Sequence, residues 1–265
     1  MRIGIIGMGF VGSAIAFAHR HDDLVTRDPK LKDSAAISEF NNCDAVYICV
    51  PSPSTEDGHC DTSILESVLK ELIFLFINKE IPIISKVTAP PSAYDRLIKQ
   101  YPNLVYCPEF LTAANAMTDY QNADYFVFGG NREWCEKAAE VVRHGVPMVQ
   151  DKLLITDIKT ASLYKYMMNS YLAMKVTFMN DFAELAAAHN IDFKKLTDLS
   201  VLDHRIGPTH MSVPGPDGHY GWGGFCFPKD VAAICEEALD MHVPNDFDLL
   251  QRVESQNKKH RMKND

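Results

Sequence analysis

The chain has no CxxC pair, no HExxH and no other paired metal-ligand spacing among its ten histidines, so nothing in it points to a structural zinc or a histidine-bound catalytic metal. No apolar run approaches the ~18 residues that cross a bilayer. Basic residues are not in excess: 26 Lys and Arg against 35 Asp and Glu leave a formal net charge of -9. That balance disfavours a general binder of nucleic acid or membrane surfaces, though a local basic pocket for an anion remains open. There is no signal-peptide pattern, because Met1-Arg2 runs straight into a strand-like segment. The seven cysteines (Cys43, Cys49, Cys60, Cys107, Cys135, Cys226, Cys235) are odd in number and scattered through apolar segments, which reads as reduced thiols in a cytoplasmic protein. His19 and His21, near a helix end, read as solvated side chains. What is present is ordinary globular composition, 46% hydrophobic and 23% charged over 265 residues, enough for one or two domains with a large core.

Ile3-Gly4-Ile5-Ile6 is a short β-branched run, followed at once by Gly7-Met8-Gly9-Phe10-Val11-Gly12 and a helical stretch from Ser13 to His19. This is GxGxxG in the context that gives it meaning: strand, glycine turn, helix. The first glycine makes the turn, the second lets backbone N–H groups approach a pyrophosphate, and the third packs helix against strand. Leu24-Val25-Thr26 ends at Arg27-Asp28. Asp28 is placed to accept from an adenosine ribose, which favours NAD, while Arg27 beside it would tolerate a 2′-phosphate. The alternation continues with strands at 44–50, 81–87, 104–106, 125–128 and 146–149 and helices at 62–76, 91–100 and 134–143. It predicts a parallel, doubly wound sheet whose loops 7–12, 51–58, 86–91 and 107–113 line one cleft.

The second half reads as helical. From Thr156 to about His189 there is no Pro or Gly, which predicts one long helix acting as a bridge or a dimer seam. Lys165 and Asn169 lie four apart on one face of it. Shorter helices are expected over 193–202, 231–242 and 246–259. Between them, a Pro- and Gly-rich loop ends in Gly223-Gly224-Phe225-Cys226-Phe227-Pro228-Lys229-Asp230. The proline is expected to open a helix with Asp230 in its first turn, so that the dipole favours a thiolate at Cys226. Trp222 and Tyr220 in the same loop read as stacking surfaces or as packing residues.

Six spaced motifs, GMGFVG (7–12), KVTAPPS (86–92), PEFL (108–111), LYKYMMNS (163–170), DHRIG (203–207) and GGFCFPKD (223–230), make the chain resemble the UDP-glucose/GDP-mannose dehydrogenase family over essentially its whole length. The resemblance implies an α/β fold: an N-terminal Rossmann-type doubly wound NAD-binding domain over 1–152, then a helical dimerisation and catalytic domain over 153–265 built on a long central helix. It implies NAD-dependent oxidation of the primary alcohol of a nucleotide sugar, UDP-glucose-like, to a uronic acid in two hydride transfers. It implies a homodimer, with no nucleic-acid or membrane partner. Cys226 would carry a thiohemiacetal and then a thioester, Lys165 and Asn169 would stabilise the oxyanion, and Asp230 would assist proton transfer. Glu109 would assist thioester hydrolysis, and Thr88 would position a water or the cofactor. The cofactor would be held by Gly7, Gly9, Phe10, Val11, Gly12, Asp28, Val50, Pro51, Thr88 and Lys229. The substrate would be held by Glu109, Phe110, Leu111, Lys165, Asn169, Tyr220, Gly223 and Gly224. Arg205 would reach a partner subunit's sugar pocket, or is an ordinary helix-end arginine.

The chain departs from the family pattern at Thr112-Ala113 and Tyr125 and in the inserted residues 216–222, and it ends soon after Cys226, so the family's C-terminal UDP-binding domain is expected to be lacking. These departures leave the sugar and base open. Two other readings stand beside the two-step enzyme: a single-step dehydrogenase of hydroxyacid type, in which Cys226 is dispensable, and a truncated, non-catalytic dehydrogenase-like subunit.

Overall fold

The computed structural model describes residues 1–75, 81–112, 114–149 and 152–264; Phe76 and Ala113, named in the expected helix and loop, lie outside them. The chain divides into two compact units, Met1–Thr55 with Cys60–Lys165, and Glu56–His59 with Tyr166–Asp265.

The first unit is a seven-stranded sheet in the order β2-β1-β3-β4-β5-β6-β7. Its strands are β1 (Arg2–Ile6), β2 (Asp23–Arg27), β3 (Ala45–Ile48), β4 (Ile83–Ser85), β5 (Leu104–Tyr106), β6 (Phe126–Gly130) and β7 (Leu153–Thr156). Successive side chains in each strand feed opposite faces, the two-residue period that a sheet covered on both sides requires. Val46, Ile48, Ile83, Leu104 and Tyr106 enter one core with α2 (Ser63–Leu75) and α3 (Pro91–Gln100). Ile3, Ile5, Tyr47, Ile84 and Val105 enter the other with α1 (Phe10–Ala18), α4 (Ala116–Gln121) and α5 (Arg132–Gly145).

Two details differ from the expected parallel sheet. β6 runs antiparallel to β5, with Val105 opposite Gly130, and β7 then runs parallel to β6. Among the described residues the β5–β6 link carries α4 alone, six residues that lie on the α1 side, rather than a full crossover helix that would return the chain to the same direction. The edge strand is 153–156 rather than 146–149. Val146 and Val149 are buried, but the backbone there turns, with Val146 N–H capping α5 at Val142 O (2.8 Å). Pro147 between them offers no donor to a ladder.

The second unit holds the rest of the long helix α6 (Ile158–Ala188, 31 residues), α7 (Phe193–Ser200), α8 (Cys226–Asp240) and α9 (Asp248–Arg261). The division between units falls within α6, after Lys165. α8 begins at Cys226, not at Pro228. A proline at the third helical position is tolerated because the first-turn N–H groups have no helical acceptor to lose.

His19 is not solvated. It is 1% exposed, with Nδ1 2.8 Å from Asp22 Oδ2 and Nε2 3.4 Å from the Tyr47 hydroxyl. Asp22 also accepts from the Met1 ammonium (2.8 Å) and pairs with His144 Nε2 (2.9 Å). Burial pushes the Asp22 carboxyl up, but these hydrogen bonds outweigh it and hold the group well below the usual carboxylate range. A carboxylate lowered in the folded state stabilises the fold above its unfolded value near 3.8, and that contribution is lost as pH falls through the folded value. Asp22→Asn is therefore expected to cost about 1–3 kcal/mol at pH 7, read as a Tm drop of roughly 2–4 °C per kcal/mol by calorimetry. The gap to the parent chain should narrow as pH falls below 4, and an equal gap at pH 7 and pH 3 would refute the linkage.

Candidate active site

The turn after β1 is built by close backbone approaches. Gly7 has φ +94°, and a Cβ on Gly12 would stand 2.0 Å from Gly7 O, so only glycine lets α1 leave the strand at this angle. Gly9 differs: a Cβ there would meet no atom within 4 Å. It precedes α1 without a side-chain cap, so the first-turn N–H groups, with Phe10 and Val11 exposed or half-buried beside them, face open space. At the end of β2, Asp28 Oδ1 accepts from Lys30 N–H (2.9 Å) and Oδ2 from Met8 N–H (2.8 Å), and these bonds, Lys30 first, lower its pKa. Arg27 turns aside to Glu71 (3.3 Å). Val50 and Pro51 follow β3, and the Val50 amide packs against Gly7.

The ends of β4 and β5 form a second cluster in the same unit. Lys165 Nζ, 3% exposed, donates to Glu109 O, stands 3.6 Å from Glu109 Oε1 and lies 4.8 Å over the Phe110 ring. Glu109, 8% exposed, accepts from Leu111 N–H at Oε2 (2.8 Å). Thr88 is buried; its carbonyl accepts from Ser52 Oγ (2.7 Å) and Cys60 Sγ (3.5 Å). Two residues that sequence reasoning missed hold these loops. Lys86 donates from Nζ to Cys107 Sγ (3.3 Å) and Pro108 O (3.4 Å), and Ser162 donates to Ala89 O (2.7 Å). A lysine inside the apolar run Ile83-Ile84-Ser85-Lys86-Val87 was the available signal for the first.

The second unit carries the cysteine. Cys226 is half-buried at the first position of α8, after Gly224 (φ +76°) and Phe225, which is exposed. One turn on, Asp230 is buried. Its Oδ2 accepts from Asn169 Nδ2 (2.6 Å), and its Oδ1 is 2.5 Å from Lys229 Nζ. Five of the other six thiols are placed to be inert. Burial pushes Cys43 and Cys235 up to about 11, pushes Cys49 and Cys135 up to about 12, and raises Cys107. Arg205 is exposed and grips Asp203 through two nitrogens, and Tyr220 is partly exposed. Trp222 is a packing residue, 5% exposed, its Nε1 donating to Thr177 Oγ1 (2.9 Å).

Residues 24–144 match the NAD binding domain of the UDP-glucose/GDP-mannose dehydrogenase family, and residues 159–259 match its central domain. The chain belongs to this family. A UDP-glucose 6-dehydrogenase of Rickettsia bellii is 36% identical over 202 residues, which is 74% of this chain and 45% of that protein. The chain thus spans about half the length of the curated relatives it matches first. A UDP-glucose dehydrogenase of Pyrobaculum islandicum shares the fold with a TM-score of 0.82 at 22% identity, over 97% of this chain and 68% of that one. A 3-hydroxyisobutyrate dehydrogenase of Mycobacterium tuberculosis shares it with a TM-score of 0.70 at 14% identity, over 98% and 94%.

The first unit of this dehydrogenase-family chain suits NAD on its own geometry: an open cradle at Gly9, uncapped N–H groups at α1, and an ionised Asp28 held by its own main chain. Gly9→Val is expected to leave the chain folded, because a Cβ there meets nothing within 4 Å, and to weaken NAD binding by roughly tenfold or more in calorimetric titration. Gly12→Ala is expected to lower Tm by itself. Unweakened NAD binding in folded Gly9→Val would refute this placement of the pyrophosphate.

Proposed function

We propose that the protein oxidises the primary alcohol of a nucleotide sugar of the UDP-glucose type to the carboxylate, with Cys226 as nucleophile. The observation that carries this is the position of Cys226 as the first residue of α8, one turn before a buried Asp230 bonded to Asn169. α8 presents the positive end of its dipole to the sulfur and to charge developing there. Bound NAD supplies the hydride acceptor. In sum, one alcohol, two NAD+ and one water give one carboxylate, two NADH and three protons.

The first unit supplies charge and water chemistry. Lys165, already ammonium-bonded to the Glu109 main chain, favours an alkoxide at the sugar oxygen, and Glu109 activates the water that hydrolyses the thioester. Phe110 and Leu111 shape that side, and Thr88 fixes a water or the cofactor. Gly7, Gly9, Phe10, Val11, Gly12, Asp28, Val50 and Pro51 hold the cofactor. In the second unit the Cys226 sulfur adds to the aldehyde carbon to give a thiohemiacetal. Loss of hydride then leaves a thioester, which water cleaves, returning the thiol. Asp230 fixes the Asn169 amide so that it donates in one direction and stands ready to take a proton. Gly223 and Gly224 admit the sugar to the loop, and Tyr220 borders it.

The partner is proposed to be a second copy of this chain. Met167, Tyr171, Phe178, Phe182 and Leu185 are exposed on α6 at steps of four, seven, four and three residues, an apolar stripe of seam geometry. Arg205, exposed and held by Asp203, would then serve the pocket of the partner subunit.

Cys226→Ser is expected to lower net NADH formation from UDP-glucose or a related nucleotide sugar by roughly a thousandfold or more. Product stoichiometry in the parent chain should be two NADH per carboxylate. Retained turnover in the variant with one NADH per product would favour a single-step dehydrogenase. Light scattering is expected to give the mass of a dimer, and Phe178→Glu with Phe182→Glu that of a monomer; a monomeric parent chain would remove the seam.

A further inference from the structure

The loop that leads into Cys226 is fastened by side chains from two helices of its own unit. Asn257 of α9, 5% exposed, faces the main chain of Trp222 with both halves of its amide. Its Oδ1 accepts Trp222 N–H at 2.7 Å and its Nδ2 donates to Trp222 O at 2.9 Å. An amide matched to a peptide group in this way substitutes for a strand neighbour and leaves neither main-chain group unsatisfied. The clamp shapes the sequence around it. A Cβ on Gly221 would stand 2.4 Å from Asn257 Oδ1, and Gly221 has φ +70°, so this position takes glycine on two counts. Gly221 N–H in turn donates to Asn180 Oδ1 of α6 (3.0 Å). The Trp222 indole is tied to α6 as well, through Nε1 to Thr177 Oγ1, and the same hydroxyl donates to Ala173 O (3.1 Å). Trp222 meets Phe227 edge-on, ring centroids 6.5 Å apart, and Phe227 is the residue after Cys226. Arg261, one turn beyond Asn257, bonds Asp217 (2.8 Å) and lies along Gly223.

We infer that Asn257 is a positioning residue for Cys226: by holding the Trp222 peptide, with Thr177 holding its indole, it fixes where the loop delivers the sulfur to the start of α8. The inference rests on the proposed nucleophilic role of Cys226 and deepens it. Neither residue touches the reacting atoms. Each acts through four residues of chain, two of them glycines with little stiffness of their own. Without the clamp, Gly223-Gly224 would let the loop and the first turn of α8 sample other positions, and the sulfur would leave the helix-end field that favours its charged form.

The test uses the full chain, with Asn257→Ala and, as the shape-preserving variant, Thr177→Val. The rate of iodoacetamide labelling at Cys226 is read across pH by mass spectrometry of its peptide, together with NADH formation and Tm. Both variants are expected to move the Cys226 labelling profile to higher pH, with the rate at neutral pH falling roughly threefold or more. The kcat should fall by roughly tenfold with KM for NAD unchanged. Should Asn257→Ala fail to fold, Thr177→Val decides. An unmoved labelling profile with only a lower Tm would make the amide a structural bond and overturn the inference. Absence of NADH formation by the parent chain with every nucleotide sugar would defeat the proposed function instead, while the labelling profile still decides the role of Asn257.

Discussion

Asp230 is the constraint on which the helical unit depends. Its carboxylate is 1% exposed, and both oxygens are engaged, one by the Asn169 amide of α6 and one by the Lys229 ammonium of its own helix. A charge taken out of water is tolerated only with such partners, and removing one partner from a buried pair costs about 3–5 kcal/mol. Against a total stability of roughly 5–15 kcal/mol, that is enough to lock the rotation of α8 against α6. Cys226 stands one turn earlier on α8, so its position is set by the same lock. The Asn169 amide is oriented by it too, Nδ2 toward the carboxylate, which fixes the direction in which the opposite side of that amide accepts.

The buried lysines follow a related logic with a different acceptor. Among the described residues, Lys86, Lys165 and Lys175 are the buried lysines, and each donates to main-chain carbonyls. Lys86 bonds Pro108 O, Lys165 bonds Glu109 O, and Lys175 bonds Ile206 O (3.0 Å) and Gly207 O (2.9 Å). Carbonyl dipoles hold an ammonium without cancelling its charge. Each lysine thus pins an irregular loop, and Lys86 and Lys175 keep their positive field available, whereas Lys165 also faces the Glu109 carboxylate at 3.6 Å. The loops so pinned are the PEFL segment and the segment after Arg205. Burial lowers the pKa of Lys175, as expected for an ammonium faced by dipoles in place of a carboxylate.

Much of this was legible in the sequence because it is local. The glycine turn was readable from a β-branched run, three spaced glycines and a helical continuation, and α6 from the absence of Pro and Gly over 156–189, close to its observed 158–188. The illegible features are those decided by distant contacts. The direction of β6 depends on how far the β5–β6 link travels, and that is not written in the strand itself. His19 looks like a helix-end polar residue, yet the rings of Tyr47 and His144, from other parts of the chain, pack against it. The start of α8 was misplaced because Pro228 reads as a first helical residue although the first turn can hold it at the third position. Of the site, residue types at motif positions were visible, and Lys86 carried a signal as a lysine in an apolar run, but the supporting partners Ser162, Thr177 and Asn257 were not. Two hydroxyls and an asparagine in helices carry no local sign of the distant group they will meet.

A two-unit dehydrogenase fold does not by itself select one hydride transfer over two, since chemistry resides in the site and not in the architecture. What the fold leaves unexplained in this chain is the investment in the segment 221–230. An asparagine is buried to hold one peptide, a threonine is buried to hold one indole, glycine is required at 221 by contact as well as by φ, and a carboxylate is buried to fix the helix that follows. Hydrophobic side chains of similar volume would pack such positions at less desolvation cost. Polar groups retained there specify orientation, and the group whose orientation they jointly specify is the sulfur of Cys226.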